Sequence, residues 1–216
     1  MSIIKKIKGF TLIEIAIVLV IVGLLLSGLI LPLTVQRDLR DYEETRRELS
    51  EYREALIGYA LSNTPPYLPC PDAVGGDGLE EVRAGGVCPI DVGEVPWATL
   101  GLPESDSWNN TYLYRVTAAF SNSAGLTLTT VGGNTILDAA VISGGTSIAN
   151  NIPAVIVSKG KNGIGAGDDE AENSDANSFF VSHEQIDVAA SAFDDVVVWV
   201  PATILFNRMV TAGKLP

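Results

Sequence analysis

The segment that most constrains this chain is KGFTLIEIAIVLVIVGLLLSGLIL, residues 8–31. From Phe10 to Leu31 it runs 22 residues with one charge, Glu14. As a helix rising about 1.5 Å per residue, that run covers the ~30 Å hydrocarbon core of a bilayer. A carboxylate inside such a helix is costly unless something pairs with it, so its presence points to a function. Glu14 is the fifth residue after Gly9. Cutting the chain after Gly9 would free a cationic amine on Phe10, and that amine could meet the Glu14 carboxylate of a neighbouring copy.

The flanks narrow the reading. Lys5, Lys6 and Lys8 precede the apolar run, so the positive-inside rule keeps the N-terminus cytoplasmic and puts everything after about Pro32 outside the membrane. An ordinary secretory signal has a shorter apolar region ending in an A-x-A-like site, and LSGLILPLT is a poor one. An uncleaved anchor would leave the order Gly-Phe-Thr-Leu-Ile-Glu unexplained. Lys8-Gly9-Phe10-Thr11-Leu12-Ile13-Glu14 resembles the processing site of type IV prepilins and of type II secretion pseudopilins. The resemblance implies cleavage between Gly9 and Phe10 by prepilin peptidase, N-methylation of Phe10, and assembly through Glu14.

Composition bounds the rest. Lys plus Arg number 14 and Asp plus Glu 26, a net charge of −12; removing residues 1–9 takes three lysines and leaves −15. That balance disfavours nucleic acid as a partner, since phosphate binding needs clustered Lys and Arg. It fits an extracytoplasmic surface and divalent-cation binding. Cys70 and Cys88 are 18 positions apart. In an oxidising compartment two such cysteines most often form a disulfide, whereas a zinc site would need two more soft ligands and His183 is the only histidine.

Apolar residues Leu39, Tyr42, Leu49, Tyr52, Leu56 and Tyr59 recur at helical steps, predicting one long helix over 10–62 whose second half has a single apolar face. Residues 63–96 are rich in Pro, Gly and Asp and read as a loop pinned by the cysteines. Short β-like runs follow at 112–117, 126–131, 154–158 and 196–200, and 202–213 reads as a short C-terminal helix. The expected class is α+β: a long N-terminal helix, transmembrane in its first half, packed on an antiparallel sheet in a pilin-like head. The expected divisions are a leader at 1–9, a transmembrane and assembly helix at 10–36 and a head at 37–216.

Two head segments add to the resemblance. DSWNNTYLYR, 106–115, is similar to the D-x-W-G-N-x-Y segment of major pseudopilins, with Asn109 at the glycine position. Physically it is a turn, with Asp106 and Asn110 at turn positions and Trp108 locking the loop; Trp97 and Trp108 read as core rather than ligand-stacking residues. SKGKNGIGAGDDEAENSDANSFF, 158–180, resembles the S-x-G-x-D-G loop by which major pseudopilins bind calcium, with Asn162 where an acid is usual. That implies calcium held by Asp168, Asp169 and Asp175, with Ser158 as a further oxygen donor. Asp72, Asp77 and Glu80 form a third acidic spot that turn chemistry explains equally well. Ser182-His183-Glu184 does not read as a triad, because adjacent strand residues point to opposite faces. No other catalytic motif occurs, so no enzymatic activity is expected.

The implied function is a structural subunit of a helical fibre, either a type IV pilus or a type II secretion pseudopilus. Its partners would be copies of itself, other pilin-like subunits, prepilin peptidase, an inner-membrane assembly platform and, before assembly, membrane lipid. The alternative is a low-abundance minor pilin whose head binds a ligand at the fibre tip through loops 63–96 and 159–178. The implied location is the bacterial inner membrane with the head periplasmic, then a periplasmic or extracellular fibre.

Overall fold

The computed structural model describes residues 9–163, 167–186 and 192–216, with residues 26–35 described for backbone only. The expected leader therefore lies outside the described residues except for Gly9. The chain divides into two compact units, Met1–Asp41 and Tyr42–Pro216; the boundary expected between 36 and 37 falls five residues earlier. Helix α1 (Leu12–Ser62) contributes to both.

In the first unit, every described side chain from Phe10 to Leu25 is exposed. Among the described residues no helix is long and apolar enough to cross a membrane.

In the second unit, α1 has the predicted amphipathic face. Leu49, Tyr52 and Leu56 are fully buried, and Thr45, Ile57 and Ala60 join them on that face. They pack on a four-stranded antiparallel sheet of order β1-β2-β5-β7. Its strands are β1 (Val92–Glu94), β2 (Leu113–Val116), β5 (Ala154–Ser158) and β7 (Val196–Val200). Strand alternation sends Tyr112, Tyr114, Val116, Ile156, Val196 and Val200 into the core with α1, joined by Leu205 and Met209 from a C-terminal helix, Ala202–Thr211.

The opposite face of this sheet carries Val155, Val157 and Val197. They meet Ile136, Ile152 and Phe180 from a second sheet, ordered β4-β3-β6, of β3 (Asn134–Leu137), β4 (Ser147–Ile152) and β6 (Phe179–Val181). Strand β5 is thus covered on both faces, which is why AVIVS is apolar without alternation.

Three of the four predicted strand segments hold. Residues 126–131 do not: the Thr127 N–H donates to Thr130 Oγ1 at 2.8 Å and the Thr130 N–H returns to the Thr127 carbonyl at 3.0 Å. Hydroxyls that bond the local backbone in this way compete with a sheet ladder, so the run turns despite its β-like composition. The second sheet is also not purely antiparallel, since β3 pairs parallel with β6.

Cys70 and Cys88 form the expected disulfide. The loop it closes is held by its own acids. Asp72 Oδ2 accepts the Gly78 N–H at 2.6 Å and Asp77 Oδ1 accepts the Leu79 N–H at 3.1 Å. Glu80 accepts from the Tyr59 hydroxyl, the Cys70 N–H at 3.1 Å and Arg83 at 2.9 Å. Gly78 (φ +77°) lies so close to the Trp97 ring that a Cβ would come within 2.2 Å of it, so Trp97 is a packing residue.

Candidate functional site

Helix α1 opens at Leu12, making Thr11 its N-cap and Glu14 its third residue. The two side chains close a reciprocal pair. The Thr11 N–H and hydroxyl both donate to Glu14 Oε2 at 2.8 Å, and the Glu14 N–H donates to Thr11 Oγ1 at 3.3 Å. This is the T-x-x-E capping box, which satisfies donors that a helix N-terminus otherwise leaves open. The spacing that puts Glu14 fifth after Gly9 therefore also ties its carboxylate to its own helix start, one residue from the Phe10 nitrogen. Phe10 and Leu12 are 82% and 93% exposed. Within one chain nothing covers these apolar side chains or contributes a cation to Glu14 among the described residues.

The glycine-acid loop is organised differently from the sequence reading. Residues 164–166 lie outside the described residues. Asp168, Asp169 and Asp175 do not converge. Asp168 is exposed on the first turn of helix α2, Asp168–Ser174, where the sequence predicts loop. Asp169 Oδ1 accepts the Ala140 N–H at 2.6 Å, and its Oδ2 faces His183 Nε2 at 3.1 Å. Asp175 accepts both the backbone and side-chain N–H of Asn177, at 2.8 and 2.6 Å. Ser158 donates to Asp106 Oδ2 at 2.6 Å and so belongs to the tryptophan turn.

In that turn Asp106 Oδ1 accepts from Trp108 N–H at 3.0 Å and Asn110 N–H at 2.9 Å, and Asn110 Nδ2 donates to the Gly160 carbonyl at 2.6 Å. Asn109 stands at φ +69°. The left-handed conformation explains why glycine suits this position and why asparagine, which tolerates it well, can replace it.

Among the described residues, the acids that do converge are Glu170, Asp194 and Asp195, each offering one carboxylate oxygen within 4.8 Å of the others. Glu170 is fully buried and accepts from Asn162 Nδ2 at 2.9 Å and the Asp194 N–H at 3.0 Å. Asp195 is buried and accepts from Asn173 Nδ2 at 2.9 Å. Asp194 Oδ1 is buried and accepts no hydrogen bond among the described residues. Gly160 (φ +60°) makes room for this group, since a Cβ there would come within 2.4 Å of Asp194 Oδ1. Burial, reinforced by the Glu170 and Asp194 carboxylates, pushes Asp195 up to about 7 against the pull of its Asn173 bond; burial also raises Asp194. Three carboxylates around one point form a donor set suited to a hard cation such as calcium. Asp194 and Asp195 escaped sequence reading because they precede the strand VVVWV rather than lie in the glycine-rich segment; an acid pair beside an apolar strand was the available signal.

His183 sits between acceptors, with Nδ1 2.7 Å from the Glu184 carbonyl and Nε2 facing Asp169, and its ring lies 3.9 Å from that of Phe193. These contacts tie the 182–184 segment to α2.

No curated protein and no solved structure matches the chain. Residues 4–30 match the family model of the prokaryotic N-terminal methylation motif. With Gly9, Phe10 and Glu14 inside that match, the chain carries the N-terminal signature of type IV pilin and pseudopilin precursors.

Proposed function

We propose that this chain is a structural subunit of an extracytoplasmic helical fibre, a type IV pilus or type II secretion pseudopilus. It waits in the inner membrane on residues 10–36 with its head, 37–216, in the periplasm. Prepilin peptidase removes residues 1–9 after Gly9 and methylates the Phe10 amine. An assembly platform then draws the subunit out of the lipid, and the apolar helices of many copies bury one another in place of lipid. The observation that carries this reading is the match at 4–30, and the exposed side chains from Phe10 to Leu25 agree with it. An apolar surface of that extent needs lipid or neighbouring copies to cover it.

The capping box adds a step to assembly. In the isolated chain the Glu14 carboxylate is engaged by Thr11. In the fibre it pairs with a neighbour's N-terminal ammonium, an interaction strengthened by a surrounding of low dielectric. The test is Glu14→Ala in a cell that makes the fibre. Processing and membrane insertion are expected to persist while incorporation into fibres is lost; normal fibre yield from the variant would defeat the pairing.

A further inference from the structure

Strand β7 ends its sheet. Among the described residues, β5 is the only strand that pairs with it. Its free edge opens into a cleft of about 760 Å³ lined by the consecutive residues Val196–Trp199. Helix α1 forms one wall of this cleft with Arg46 and Arg53, and the segment Ser182–Glu184 forms another. A row of unpaired backbone donors and acceptors is a template for one more strand unless something covers it.

The side chains of an added strand would alternate between two different environments. Val196 and Val198 belong to the face that packs with α1, while Val197 and Trp199 belong to the face toward the second sheet. On the α1 side, Arg46 is exposed and makes no ion pair or hydrogen bond among the described residues. Arg53 is one-third exposed; its Nε lies 3.8 Å from Glu54 Oε1 and its Nη2 donates to Ser50 Oγ at 3.3 Å, so an added strand would share this guanidinium with Glu54. On the other side Ser182 and Glu184 line the cleft with a hydroxyl-bearing and a carboxylate-bearing side chain. A strand with acids facing α1 and hydroxyl or basic side chains facing Ser182–Glu184 matches both walls.

We propose that the free edge of β7 receives an extended segment of a partner polypeptide as a fifth strand, with carboxylates facing Arg46 and Arg53 and hydroxyl or basic side chains facing Ser182–Glu184. Backbone pairing along β7 supplies adhesion and the two arginines select the sequence, as in other cases of strand addition to a sheet edge. The site does not depend on polymerisation of the chain.

The test uses the full chain in detergent micelles and a seven-residue peptide alternating Glu with Thr. Calorimetry is expected to detect binding, and hydrogen exchange at the Val196–Trp199 amides is expected to slow when the peptide is present. Replacing every Glu of the peptide by Lys, or methylating alternate backbone nitrogens, should each weaken binding by about tenfold or more; the first removes the charge pairs and the second the backbone ladder. Arg46→Glu, at an exposed position, should weaken the Glu peptide similarly, and Arg46→Lys should retain most of its binding. Equal binding of the N-methylated peptide, indifference to Arg46→Glu, or no binding of the Glu peptide at all would overturn the proposal. So would concentration-dependent protection of the same amides without peptide, which would assign the edge to a second copy of this chain.

Discussion

Asp195→Asn should make the protein more stable above neutral pH and leave it unchanged in acid. The Asp195 carboxyl is pushed from the ordinary 3.8 to about 7 by burial and by the neighbouring Glu170 and Asp194 carboxylates. Below about pH 4 the group is protonated in both folded and unfolded chains and is neutral to stability. Between about pH 4 and 7 the unfolded chain releases this proton freely while the folded chain holds it, so stability falls as pH rises, and the loss is complete above about 7. At about 1.36 kcal/mol for each decade of displacement, the loss approaches about 4 kcal/mol. An asparagine keeps the shape and can still accept from Asn173 Nδ2, yet it never charges. Urea unfolding of the full chain in detergent with chelator, at pH 4, 6 and 8, measures the difference. The variant should match the native protein at pH 4 and exceed it by about 2 to 4 kcal/mol at pH 8. Equal stability at pH 8, or a variant less stable there, would refute the burial account of this cluster.

Two further outcomes are expected. Calcium titrated into chelator-treated protein should raise its Tm at pH 8, with Glu170→Gln abolishing the rise and Asp168→Asn leaving it intact; a Tm indifferent to calcium and chelator would remove the metal. Replacing Cys70 and Cys88 together by serine should cost about 3 kcal/mol in urea unfolding, the chain-entropy value for a loop of this size; a loss below about 1 kcal/mol would show that the Glu80–Arg83–Tyr59 contacts hold the loop without the disulfide.

Legibility in the sequence followed the range of the physics involved. The α1 face was readable because Leu49, Tyr52 and Leu56 repeat at a local period, and VVVWV and AVIVS because short runs rich in β-branched residues, too short for a buried helix, favour a covered strand. The second sheet was not, since NTIL and SIANNI are short and polar and gain strand structure from partners distant in sequence. The N-terminal motif was legible residue by residue, but the reciprocal bonding of Thr11 and Glu14 was hidden behind the functional meaning of the acid. The convergence of Glu170 with Asp194 and Asp195 was hidden for a simpler reason. Asp168, Asp169 and Asp175 are neighbours along the chain, while Glu170 meets Asp194 and Asp195 only because α2 and the start of β7 come together in the fold.

Mass spectrometry of the N-terminus of protein recovered from membranes or fibres tests the central claim most directly. The account predicts a chain that begins at Phe10 and carries one added methyl group on its amine. A chain that still begins at Met1, or one cut anywhere other than between Gly9 and Phe10, would contradict it.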